Sequence, residues 1–236
     1  MMRYIVSDIH GCKKQYLELL EKIQFSNQDR LYILGDSVDR GNHPIEVLQY
    51  IMKQKNVTYI IGNHDYRLYT FIKELGLDLN TFRNDEIKWA FKFWQHDGGL
   101  TTLNEFLELS EYERKEIYSF LEDVKVYEEV KHEGKRYILS HAGIINFEEG
   151  KSLKEYLNQD FFEGRMDYDT RYFQDENTYI VSGHTPTFYL HKDRKPLVFQ
   201  ENGHIAIDCG CVYGGNLAAF CIETGDITYV KNETCE

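Results

Sequence analysis

Five segments of the chain share one build. They are Tyr4-Ile5-Val6-Ser7-Asp8, Tyr32-Ile33-Leu34-Gly35-Asp36, Tyr59-Ile60-Ile61-Gly62-Asn63, Tyr137-Ile138-Leu139-Ser140-His141 and Tyr179-Ile180-Val181-Ser182-Gly183-His184. Each is an aromatic and aliphatic run, then one or two small residues, then a polar or metal-competent group. Their intervals are irregular, so no tandem repeat generates the likeness. Uninterrupted apolar runs of this length predict strands buried on both faces. Between the first three runs, residues 13–24 and 44–53 carry apolar side chains at helical spacing. Alternation of strand and helix predicts a parallel sheet. In such sheets ligands lie beyond the carboxyl ends of the strands, which is where all five polar groups fall.

The stretch from 66 to 130 has a different texture. "YRLYTFIKELGLDL", "NDEIKWAFKFWQHDGG", "LTTLNEFLEL" and "SEYERKEIYSFLEDV" all show helical periodicity, with Ser110 as an N-cap. A helical insertion over about 66–123, packed on one side of the sheet and walling a cleft, is expected. Residues 125–140 read as a hairpin turning at Glu133-Gly134. "HIAIDCG", "NLAAFCIE" and "DITYV" read as antiparallel strands joined by turns such as Thr224-Gly225-Asp226. A length of 236 residues suits one sizeable core. The expectation is a single α/β domain over 1–236, built as a two-sheet sandwich flanked by helices.

The net charge of −12 argues against a nucleic-acid surface, which needs clustered Lys and Arg. No stretch approaches the roughly 18 apolar residues of a membrane span. "MMRYIVSDIHG" enters structure at once, so no signal peptide is expected. Five loosely spaced cysteines form neither a disulfide framework nor a zinc pair, which predicts reduced thiols and a cytoplasmic protein. Cys209 and Cys211 read as small core residues, and Cys12 as a buried thiol at a helix start.

The strand ends collect Asp8, His10, Asp36, Asn63, His64, His141 and His184. Carboxylates, an amide oxygen and imidazoles suit Mn, Fe, Zn or Co better than an all-oxygen calcium cage. Asp8 and His10 alternate about Ile9 and share a face of an extended segment. Seven such groups exceed the needs of one four-coordinate site. Two metals bridged by a carboxylate account for them, and such pairs serve phosphoester hydrolysis.

"SDIHG" (7–11), "GDSVDRG" (35–41), "GNHD" (62–65), "HAG" (141–143) and "GHTP" (183–186) together resemble the ordered signature of the calcineurin-like metallophosphoesterases. The likeness is greatest to the bacterial phosphoprotein phosphatase branch, and "IDCGCVYGGNLAAF" (207–220) resembles that branch's C-terminal segment. The resemblance implies Asp8 and His10 on a first metal, Asp36 bridging, and Asn63, His141 and His184 on a second. Two divalent ions are implied, manganese first, with Fe, Zn, Co or Ni as alternatives, and water as nucleophile. His64 is implied as the general acid, with Asp39 holding its imidazole, and Arg40 as a bidentate phosphate ligand. A second phosphate arginine is implied at Arg165, with Arg171 the alternative.

Asp65 stands where the eukaryotic branch has Glu, a form shared with symmetrical diadenosine-tetraphosphate hydrolases. On the complete motif series, the resemblance implies first a serine/threonine protein phosphatase of relaxed specificity, acting on a phosphorylated protein or small phosphoester. The alternative is a symmetrical dinucleoside polyphosphate hydrolase, and the rival from another class a catalytically silent phosphate-binding protein. "WQHDGG" (94–99) resembles a segment of the bacterial branch, and its aromatics are expected in the core. His43, His96, His132, His191 and His204 are expected to be structural or exposed, and Tyr213 either to pack or to approach the cleft.

Overall fold

The computed structural model describes residues 1–77, 82 and 84–233. Two five-stranded sheets face each other. In the first, β1 (Arg3–Val6), β2 (Arg30–Leu34) and β3 (Val57–Ile60) are parallel, joined through α1 (Lys13–Lys22) and α2 (Pro44–Met52). The antiparallel pair β9 (Asn216–Cys221) and β10 (Ile227–Lys231) extends that sheet beside β1. The second sheet runs in the order β4 (Tyr127–His132), β5 (Lys135–Ser140), β6 (Thr178–Ser182), β8 (His204–Ala206), β7 (Phe199–Glu201).

Period-two alternation explains the apolar runs. Ile5, Tyr32, Leu34 and Ile60 point inward against Tyr137, Leu139, Val181 and Ile205 of the facing sheet. Their neighbours Val6, Leu31, Ile33 and Tyr59 point outward against Tyr16, Leu19, Leu48 and Leu68 of the helical layer. On the far side of the second sheet, Ile138, Ile180 and Ala206 meet Leu153, Phe161 and Met166 from the irregular stretch after β5. Every central strand is thus covered on both faces, as the run composition predicts.

The helical insertion comprises α3 (Asn63–Leu75), α4 (Asp85–Trp94), α5 (Leu100–Glu108) and α6 (Glu111–Asp123). Part of "GLDLNTFR" falls outside the described residues. Ser110 caps α6 through the Glu113 amide while Glu113 returns to the Ser110 amide, a capping box. The β4–β5 hairpin turns at Glu133 and Gly134, both with positive φ. One expectation needs correction: "HIAIDCG" does not continue into the β9–β10 pair. Its first three residues are β8 in the second sheet, whereas β9 lies in the first, because β8 pairs with β6 and β9 with β1. Cys12, Cys209, Cys211 and Cys221 are buried. Among the described residues, no helix is long and apolar enough to cross a membrane.

Candidate active site

The carboxyl ends of β1, β2, β3, β5 and β6 meet at one place between the sheets. The loops leaving β1 and β2 run alongside each other, with Asp8 N donating to Gly35 O at 3.1 Å and His10 N to Asp36 O at 2.9 Å. His184 N donates to Asp8 Oδ2 at 3.0 Å and joins the second sheet to the same corner. Small residues at the strand tips allow this approach. A Cβ on Gly62 would strike the Asp36 carboxylate, and one on Gly183 would strike Ser7 Oγ and Asp8 Oδ2. The geometry is also strained. Asp8, His10, Asp36, Asp39, Arg40 and His184 all adopt positive φ, between 42° and 69°. Left-handed backbone costs a non-glycine residue on the order of 1 kcal/mol, and here it falls on the candidate residues.

Asp36 stands in the centre. Its Oδ2 lies 3.6 Å from His10 Nε2 and 3.3 Å from His141 Nε2, while Oδ1 accepts the His64 amide at 2.9 Å. On one side, His10 Nδ1 meets Val38 O at 2.8 Å and Asp8 Oδ1 lies 4.0 Å from His10 Nε2. On the other, His141 Nδ1 meets Leu34 O at 2.7 Å, leaving Nε2 beside Asn63 Oδ1 (3.0 Å) and His184 Nδ1 (3.2 Å). Backbone carbonyls thus fix both imidazoles with Nε2 toward the carboxylate, and His10 Nε2 also accepts from Arg40 Nη1 at 2.6 Å.

This donor set fits divalent ions. Lone-pair atoms of Asp36, His141 and His184 converge within 4.8 Å, as do those of His10, Asp36 and His64. Asp8, Asp36, Asp39, Asp65 and Asp208 are all at most 6% exposed, a concentration of negative charge that burial makes costly without cations. Burial pushes the Asp8 carboxyl up to about 6. Asp36 is also buried, yet the surrounding imidazoles, His141 foremost, hold it well below the usual carboxylate range. Proximity groups His64 with the first set, but where backbone carbonyls hold His10 and His141, a carboxylate holds His64. Its Nδ1 meets Asp39 Oδ2 at 2.6 Å, and its Nε2 accepts from Arg40 Nη2 at 2.8 Å.

Asp39 is fully buried and held on every side. Trp94 Nε1 donates to Oδ2 at 2.7 Å and Thr102 Oγ1 to Oδ1 at 2.6 Å. "WQHDGG" therefore does more than fill the core: its indole secures the residue behind His64. Gly98, at φ +101°, presses against Arg40, and its carbonyl accepts the Arg40 amide at 2.9 Å.

Arg40, Arg67 and Arg165 line a cleft of about 430 Å³ in front of these groups. Arg165 reaches Thr185 Oγ1 at 2.9 Å. Arg171 is instead tied to the carbonyls of Phe173 and Asp175 and does not line the cleft. Phe188, Tyr189 and Tyr213 form an aromatic rim, with Tyr213 54% exposed and its ring 5.6 Å from the Arg40 guanidinium carbon. Cys12 turns away, into the helical layer beside Asn232.

Several residues escape sequence reasoning. Asp65 faces inward, accepting the amides of Asp36 (2.7 Å), Gly62 (3.0 Å) and Ser37 (3.2 Å), so it braces the Asp36 loop rather than facing the cleft. Asp208 is buried near Asp8, and burial raises its carboxyl well above the usual range. "IAID" repeats the apolar-run-then-carboxylate pattern, and that signal identifies it. Arg67 and Asp97 face the cleft without belonging to any expected set.

The sequence model described as calcineurin-like phosphoesterase matches residues 1–188. The chain is 30% identical to the asymmetrical bis(5'-nucleosyl)-tetraphosphatase PrpE of Oceanobacillus iheyensis, over 92% of this chain and 86% of that protein. It is 44% identical to a symmetrical bis(5'-nucleosyl)-tetraphosphatase of Coxiella burnetii, but only across 31% of this chain and 25% of that protein. A serine/threonine phosphatase structure from Saccharomyces cerevisiae shares the fold, at 13% identity and a TM-score of 0.62 over 100% of this chain and 81% of that one.

Proposed function

The chain belongs to the calcineurin-like phosphoesterase family, and from that premise we propose a two-metal hydrolase whose substrate is a dinucleoside polyphosphate, cleaved asymmetrically. The carrying observation is the aromatic rim. Half-buried Phe188 and exposed Tyr189 and Tyr213 flank the arginines that face the cleft, and the two exposed rings offer a nucleobase a stacking surface. The likeness to an asymmetrical tetraphosphatase across almost the whole chain supports the same choice, whereas the symmetrical relative matches only a segment.

Asp8 and His10 would hold one cation, Asn63, His141 and His184 the other, with Asp36 between them. Manganese suits this mixed oxygen and nitrogen set. When bound, the two ions supply Lewis-acid activation of water and of the phosphoryl oxygens. The remaining work falls to the chain. Arg40 and Arg165 grip the phosphoryl oxygens, a task for which the planar guanidinium is suited. As Arg40 turns to the substrate it frees the His64 Nε2 lone pair to take up a proton from solvent, and the imidazolium so formed beside Asp39 gives that proton to the departing oxygen. Asp39 keeps the imidazole aimed while this happens.

Chromatography of the products decides the substrate. With manganese-loaded protein, diadenosine tetraphosphate should yield ATP and AMP, and should be turned over in preference to a phosphoserine peptide. Two ADP molecules would indicate symmetrical cleavage. Preference for the peptide would establish a protein phosphatase instead.

A further inference from the structure

Three guanidinium groups face the cleft, and the proposed chemistry uses two. The third, Arg67, lies on α3 one turn beyond His64. Its Nη1 donates to Asp97 Oδ2 at 2.5 Å, and Asp97 is the one carboxylate paired with it among the described residues. The same carboxylate stands 3.6 Å from Arg40 Nη2 and 3.8 Å from His64 Nε2. Asp97 belongs to the turn Gln95–Gly99, which the Arg40 amide and Thr101 Oγ1 anchor through the Gly98 carbonyl. One fixed carboxylate therefore balances two guanidinium groups, at the place where anionic oxygens would be bound.

We propose that Arg67 and Asp97 form a second anion subsite, which takes the phosphoryl group adjoining the one under attack and so selects phosphate chains over single phosphoryl groups. The proposal rests on the polyphosphate reading of the cleft. A carboxylate and a phosphoryl group present similar oxygen pairs to a guanidinium fork, so a chain can take over Arg67 from Asp97. A monoester has no second phosphoryl group and leaves that pair intact. Asp97 sharpens the difference. As a fixed negative charge beside Arg40 it opposes every anion that enters, and only a chain recovers that cost at Arg67.

Titration calorimetry of the manganese-loaded 236-residue chain with inorganic tripolyphosphate and with orthophosphate tests this, free metal being matched in cell and syringe. Wild-type protein should bind tripolyphosphate more tightly. Arg67→Met should narrow that ratio about tenfold, the loss of one charge-assisted pair. Arg67→Lys should restore part of the preference, and it guards against a folding artefact. Asp97→Asn should tighten both anions several-fold.

A ratio unchanged in Arg67→Met, or absent in the wild type, overturns the subsite. The two readings fail separately. A protein with the Arg67-dependent preference that leaves diadenosine tetraphosphate uncut keeps the subsite and loses the substrate. One that cuts the dinucleotide with an unchanged ratio does the reverse.

Discussion

His64 is gripped at both ends of its imidazole, by Asp39 and by Arg40, and its value to the reaction depends on the oxygen it must protonate. A serine alkoxide is a poor leaving group and a nucleotide phosphate a good one. His64→Asn should therefore slow an alkyl phosphate by about 10²–10⁴ and an anhydride far less. Kinetics on the two substrates, with metal content measured in parallel, checks this, and both ions should stay bound. Trp94→Phe keeps the packing but removes the indole donor to Asp39. A loss of one such bond should lower kcat about tenfold at unchanged metal content. The donors and the His64–Asp39 pair were legible because they sit within short motifs. Trp94, Arg67 and Asp97 were not, since a helical apolar pattern cannot show which polar edge of a core tryptophan meets a buried acid. Asp65 was legible in place but not in role.

The element that matters most to the cleft is the turn Gln95–Gly99. Gly98→Ala would put a Cβ 2.5 Å from Arg40 Cγ at a φ of +101°, so Arg40 must shift. Steady-state kinetics should show a raised KM, with thermal stability lowered by on the order of 1 kcal/mol. At the other end of the first sheet, Glu223 ties β1 to β9, accepting from Arg3 N and Nε, each at 2.6 Å. Burial would raise its carboxyl, but those bonds hold it below the usual range. A depressed folded value stabilises the protein above the unfolded pKa, and that contribution is lost as pH falls through the folded value. Glu223→Gln should accordingly cost about 1 kcal/mol at neutral pH, with the gap closing below about pH 4 in denaturant titrations. Strand order within β1–β3 follows from the intervening helices. The split of β8 and β9 between two sheets does not, because it depends on partners far away in the chain.

Across the whole molecule, five strands from two sheets deliver their polar tips to one point, and the buried acids there concentrate negative charge that bound cations would offset. Chelation should abolish turnover and lower Tm, and manganese should restore both, because an ion bound only by the folded state stabilises it by mass action. Asp36→Asn should lose metal as well as activity, since Asp36 lies between both donor groups. The most direct measurement is metal content per chain against turnover of diadenosine tetraphosphate as manganese is added back to chelated protein. Turnover should rise with the filling of a second ion and level off at two per chain. Full turnover at one ion, or at none, would contradict a dinuclear centre.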